Sequence, residues 1–217
     1  MTDTPDIFPT PALSNAAEHV LGPWTPRAHL LEGLTAVRTA DRAHGPAYTI
    51  RLRRAADRSR ENAARVLAAY DAAPAGSVVV VQVIDDVGGA VMGDIIAHRL
   101  KLNGVAGVVV EGPVRDIDGL DQFGPPIWYR QGLTTGLEMA ETHAESGVEL
   151  EIGDVRVVPG MPVTADRDGV FFLPADQGEA ILARAAAVVA REDTLHAALS
   201  KGQSLVEALG FSDVANS

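Results

Sequence analysis

No cysteine occurs anywhere in the 217 residues. That excludes disulfides, thiolate metal sites and a cysteine nucleophile, and leaves oxygen or imidazole as the only strong metal donors. Aromatic residues are also scarce, at 5% against 47% apolar overall, so the core must be built from Ala, Val, Leu and Ile. No apolar run approaches the ~20 residues that a bilayer-spanning helix needs. Met1 to Leu13 carries acids and prolines where a signal peptide has basic and apolar regions. No membrane partner is expected, and a cytoplasmic location is the default. Positive charge is sparse as well. With 18 Lys and Arg against 29 Asp and Glu, the formal charge of −11 repels phosphate backbones, and direct nucleic-acid binding is not expected unless the basic residues gather on one face. The six histidines, at 19, 29, 44, 98, 143 and 196, lack the HExxH spacing of a zinc helix. Neither a Gly-x-Ser-x-Gly elbow, nor GxGxxG, nor a Walker lysine is present, and Lys101 and Lys201 have no Schiff-base context.

Composition does not break along the chain, and its length suits one core. We expect an N-terminal arm over residues 1–12, a single domain over 13–210 and a polar tail over 211–217. Within the domain, Leu13 to Leu21 reads as a short helix ended by Gly22-Pro23, and Gly45 to Leu52 as a strand. Arg51, Arg53, Arg54, Arg58 and Arg60 then form either a solvated face or a contact for an anionic substrate or subunit. A helix follows from about Glu61 to Tyr70. Ser77 to Ile84, SVVVVQVI, is a β-branched run expected of a strand covered on both faces. Later strands are read at Pro126 to Arg130, Val148 to Ile152, Val155 to Val158 and Val170 to Leu173. A periodic helix runs from Pro174 to Arg191, continued or kinked to Leu199, with a last turn or two at Leu205 to Leu209. The class is mixed α/β.

The most informative stretch is Gly93 to Leu120, GDIIAHRLKLNGVAGVVVEGPVRDIDGL. Ile95, Ile96, Leu100 and Leu102 have helical spacing that Asn103-Gly104 stops, which puts Asp94 at a helix N-terminus. There the N–H groups of Gly93, Asp94, Ile95 and Ile96 lack intrahelical partners and suit a carboxylate or phosphate. By itself, Asp94 is equally an ordinary first-turn acid. Val105 to Val110 reads as a buried parallel strand. Its end delivers Glu111, Gly112, Pro113, Arg115 and Asp116 to the edge where open α/β sheets bind ligands, and Ile117 to Phe123 reads as a short helix. Asp116, flanked by Glu111 and Asp118, is either a divalent-cation ligand or one half of a surface ion pair or turn cap.

The pattern Asp94-x20-Arg115-Asp116, together with GVAGVVVEGPVRD, resembles the RraA-like family of 4-hydroxy-4-methyl-2-oxoglutarate aldolases and RraA regulators of ribonuclease E. Fainter echoes run from His44-Gly45-Pro46-Ala47 to Asp168-Gly169-Val170. The resemblance implies an αββα sandwich with a swivelling β/β/α-type core, assembled as a homotrimer or a hexamer. It also implies a lyase dependent on Mg²⁺ or Mn²⁺, of the class II aldolase or oxaloacetate decarboxylase type, that cleaves a C–C bond of a 2-oxo acid through a pyruvate enolate. The alternatives are a non-catalytic regulator that binds ribonuclease E, or a lyase on a pathway-specific substrate. On the same ground, Asp116 is expected to bind the cation directly and Asp94 to hold metal-bound water or help relay a proton, while Arg115 steadies the developing enolate oxygen and, with the N–H groups of Gly93 to Ile96, holds the substrate. A C-terminal acid from a neighbouring subunit completes the set, with Glu192 the candidate and Glu179 its rival. The chain departs from the family pattern at Asn15, where an aspartate is usual, and at Met161 in Pro159-Gly160-Met161, where Pro-Gly-Asp is common.

Overall fold

A computed structural model describes residues 7–23 and 25–211. In chain order the helices are α1 (Thr10–Leu21), α2 (Arg60–Asp71), α3 (Asp94–Leu102), α4 (Ile117–Phe123), α5 (Gly178–Ser200) and α6 (Leu205–Ala208). The strands are β1 (Leu30–Leu31), β2 (Thr35–Ala36), β3 (Ala43–Arg54), β4 (Val78–Val83), β5 (Gly107–Val114), β6 (Ile127–Gly132), β7 (Thr142–Ser146), β8 (Leu150–Ile152), β9 (Val155–Val157), β10 (Pro162–Ala165) and β11 (Val170–Phe172). Short 3-10 turns occupy Thr25–His29 and Met139–Glu141.

The valine run of β4 sets the layering. Successive side chains in a strand point to opposite faces. Val79 and Val81 enter a core with Val108, Val110 and Ile127, and helices α2, α3 and α4 close it through Val66, Ala97, Leu100 and Leu120. Val78 and Val80 face the other way, onto Val109, Trp128, the β8–β9 hairpin and the inward residues of β10 and β11. In β11, Val170 and Phe172 point into that second core, while Phe171 between them faces Phe8, Leu13, Ile181 and Ala185 of the α1–α5 layer. Two helical layers therefore enclose two β layers, the αββα arrangement that the resemblance implies.

β3, β4, β5 and β6 are parallel neighbours, joined by α2, α3 and α4. β3 is long enough to serve two partners: residues 43–46 pair antiparallel with β10, and residues 47–52 pair parallel with β4. β7 lies antiparallel along its far end.

Several boundaries differ from those read in the sequence. The expected arm is partly folded: Phe8 is buried, and α1 begins at Thr10, whose N–H and hydroxyl donate to the buried Asp166 at 2.8 and 2.6 Å. Met1–Asp6 and residues 212–217 of the expected tail lie outside the described residues. β5 continues past Val110 because a bulge between Val110 and Pro113 absorbs the break in the apolar run and restores pairing at Pro113–Gln131 and Val114–Gly132. Gln131 and Gly132, beyond the expected strand Pro126 to Arg130, are therefore strand. α5 starts at Gly178, after a turn over residues 175–177, and runs without interruption to Ser200. β1, β2, β7 and β10 have no counterpart in the sequence reading.

Candidate functional site

The parallel strands end on one edge, and the expected residues meet there. After β4 the chain turns through Asp85 to Gly88 and threads residues 90–92 between the end of β5 and the loop at Gly136. The contacts are Ala90 N–H to Thr135 O at 2.8 Å, Val91 N–H to Pro113 O at 2.9 Å and Arg115 N–H to Met92 O at 3.0 Å. This strap delivers Gly93, the N-cap of α3, against the residues that follow β5. A Cβ on Gly93 would fall 2.6 Å from Asp116 Oδ2, and one on Gly136 would fall 2.8 Å from an Arg115 terminal nitrogen. A side chain at either place would push these carboxylate and guanidinium ends aside, so the two glycines leave the room in which the Arg115-Asp116 pair lies between strap and loop. On the other side, Asp94 rests against Gly119 of α4.

Asp116 has φ of 58°, the only left-handed non-glycine residue among those described. Such a backbone is costly for most L side chains, least so for Asn and Asp, and tends to collect at functional sites. Asp116 is also the N-cap of α4, a position for which aspartate is well suited, yet its carboxylate makes no capping hydrogen bond. Instead Oδ2 lies 3.3 Å from Arg115 Nε, with the two side chains 43% and 46% exposed. An ion pair that open contributes little to stability. Neither ordinary explanation, cap or structural salt bridge, accounts for an aspartate held in this backbone.

Asp94 occupies the first turn of α3, and its Oδ1 accepts from the Ile95 N–H at 2.8 Å. The anion-binding helix end expected from the sequence is therefore partly occupied by its own carboxylate. Glu111 does not flank Asp116 as expected: it lies within β5, and Arg130 Nε donates to both its oxygens at 2.7 and 2.8 Å. Glu192 and Glu179 are on α5, which packs on α1 in the opposite outer layer, so this chain does not bring its own C-terminal acids to Asp116. Asn15 is exposed on α1, beside His19 and α5. Met161 packs against the second core and accepts the Ala47 N–H at 2.8 Å. In the arginine run, Arg51 pairs with Glu145 and Arg58 with Glu138 and Glu141, and the cluster lies on β3 and the turn before α2.

No three His, Asp or Glu side chains among the described residues form a metal cage. The donors on offer are one exposed carboxylate, Asp116, with Asp94 beside it. That set fits a hard cation that keeps several waters, as Mg²⁺ does, better than a metal requiring a complete protein shell. Next to it a cleft of about 470 Å³ is lined by Asp85, Asp86, Gly89, Pro113, Leu133 and Thr135, among others. The sequence reading missed Gly119 and Gly136 as parts of the site, because only the folded contact distinguishes them from turn glycines.

The model of the RraA-like family (Aldolase/RraA) matches residues 10–172, three quarters of the chain. The chain belongs to the RraA-like family. A relative from Halalkalibacterium halodurans, provisionally named a 4-hydroxy-4-methyl-2-oxoglutarate aldolase, is 30% identical over 193 residues, covering 86% of this chain and 89% of its own. Among solved structures, an uncharacterized protein from Pseudomonas syringae aligns with a TM-score of 0.76 at 26% identity, over 93% of this chain and 92% of that one. Streptomyces coelicolor RraAS2, described as an unusual member of the RNase ES inhibitor RraA family, aligns with a TM-score of 0.69 at 28% identity, over 88% and 91%. The family match ends at the close of β11, so α5 and α6 lie beyond it.

Proposed function

We propose that the chain is a divalent-cation-dependent lyase that breaks a C–C bond next to a 2-oxo acid. The reaction is either retro-aldol cleavage of a 4-hydroxy-2-oxo acid or decarboxylation of oxaloacetate, and both yield pyruvate enolate. The observation that carries this reading is Asp116: left-handed, exposed, not capping its helix and set beside Arg115. The aldolase name of the Halalkalibacterium relative points the same way.

Bound Mg²⁺ or Mn²⁺ would supply a Lewis acid for the 2-oxo group. Asp116 would hold it directly and Asp94 through water, with Glu192 of a neighbouring copy as the further acid. Arg115 offers a planar fork that matches a carboxylate and stabilises charge developing on an enolate oxygen. The free N–H groups at the start of α3 would orient the substrate carboxylate, and that of Ile95 joins them only when Asp94 releases it. The adjoining cleft has room for the departing half of the substrate.

The test is pyruvate release from a panel of 4-hydroxy-2-oxo acids and oxaloacetate. Exhaustive chelation should abolish turnover and Mg²⁺ or Mn²⁺ should restore it. Undiminished turnover in excess chelator would remove the cation from the mechanism. The net charge of −11 and the RraA relatives favour a second reading, a regulator that binds a basic ribonuclease surface. Tight binding to such a partner with no turnover on any 2-oxo acid would establish that reading instead.

A further inference from the structure

The strap over residues 88–93 carries Gly93 and Asp94 into the site, and its backbone partners do not reach the Val91 carbonyl. Ala90 is taken up by the 135–137 loop, the Val91 N–H by Pro113 and the Met92 carbonyl by Arg115. The Val91 carbonyl is buried and receives no backbone donor from either neighbour. It accepts the hydroxyl of Tyr70, from the last turn of α2, at 3.0 Å. Tyr70 is itself 2% exposed and packs with Val66, Val91 and Met92 in the helix-covered core. Burial raises its phenol pKa above the ordinary value, which favours the neutral, donating hydroxyl. A buried carbonyl without a donor is rare and costly, and a donor that meets it fixes where the chain runs.

We infer that Tyr70 is a positioning residue of the site: its hydroxyl holds the strap so that Gly93 and Asp94 stay in place against Arg115 and Asp116. The catalytic part of this inference rests on the proposed reaction, whereas the positioning part does not. Tyr70→Phe keeps the ring in the core and removes only the donor. Val66→Ala, on the same helix and in the same core, loosens packing but keeps the Tyr70 hydroxyl and its bond to the Val91 carbonyl, and serves as the control.

Amide exchange over residues 89–96, read by mass spectrometry, should quicken about tenfold or more in Tyr70→Phe and stay near wild type in Val66→Ala. Turnover should fall between about 10- and 100-fold in the first variant alone, as expected when reacting groups are misplaced by a fraction of an ångström to an ångström. Equal strap exchange in the two variants would overturn the inference, whatever the activity. If the wild-type chain turns over no 2-oxo acid, the lyase reading fails and the exchange comparison still decides the role of Tyr70. If strap exchange separates the variants but turnover of an active enzyme does not, Tyr70 orders the strap without positioning the chemistry, and the inference is wrong in that part.

Discussion

Two features meet at Asp116: a left-handed backbone, and a carboxylate that caps no helix and is held only by an open ion pair with Arg115. Substitutions can separate them. Glycine and asparagine tolerate φ near 58°, whereas alanine in that region costs about 1–2 kcal/mol. Asp116→Ala should therefore melt several degrees below wild type, while Asp116→Gly and Asp116→Asn stay close to it. All three should lose turnover, with partial recovery at high cation concentration if Asp94 and water still hold the ion. Arg115→Ala should instead lose on the order of 100- to 1000-fold in turnover with no rescue by added cation, as for the loss of one preorganised donor. Arg115→Lys should stay impaired, because a point charge lacks the fork. If Asp116→Asn melts like wild type and also turns over like it, the carboxylate has no part in the chemistry.

At the scale of elements, the 3-10 turn at Thr25–His29 is a place where acid should act. Burial lowers the His29 pKa from its ordinary 6.5, partly offset by Asp176, and its ring lies 6.3 Å from that of Phe171. A histidine with a depressed native pKa binds its proton more tightly in the unfolded chain. Its contribution to stability is thus complete above pH 6.5 and is lost as pH falls through the lowered native value. The melting temperature of wild type should drop between neutral pH and pH 5, and His29→Gln should flatten that part of the curve. An unchanged curve would show that His29 does not govern it. Elements with local signals were legible in the sequence: α3 and α4 begin and end where Gly93, Asn103-Gly104 and Asp116 place them. β7 and β10 were not, because THAES has little strand preference of its own and PVTA is four residues opened by a proline, and both become strands by pairing with the two ends of β3. The site divides in the same way. Arg115 and Asp116 are adjacent in sequence and could be picked out there, whereas Tyr70 and Gly136 join them only through contacts made on folding.

At the scale of the whole molecule, the proposed site calls on a further acid that this chain does not itself bring to Asp116, and the apolar surface of α3 and α4 fits a neighbouring copy that would supply it. Ile95, beside Asp94, and Leu102 and Phe123, at the far ends of α3 and α4, are 78%, 68% and 38% exposed, although each is large and apolar. No helix among the described residues is long and apolar enough to cross a membrane. The proposed assembly offers a cover, a second copy, and it would also explain how an α5 acid reaches Asp116 when α5 packs in the opposite outer layer of its own chain. Leu102→Asp should then shift the protein to a smaller species by light scattering and lower turnover, although Leu102 touches no reacting group. Complementation is the sharper measurement. Asp116→Ala and Glu192→Gln should each be inactive alone. Dissociated, mixed and reassembled in equal amounts, they should recover about a quarter of wild-type turnover, because random assembly unites an intact Asp116 with a neighbour's intact Glu192 at about that fraction of sites. Recovery with Glu179→Gln in place of Glu192→Gln would move the shared acid to Glu179. A wild-type monomer at working concentration, or co-assembled mixtures that stay inactive for both acids, would leave each site to a single chain and rule out the shared arrangement.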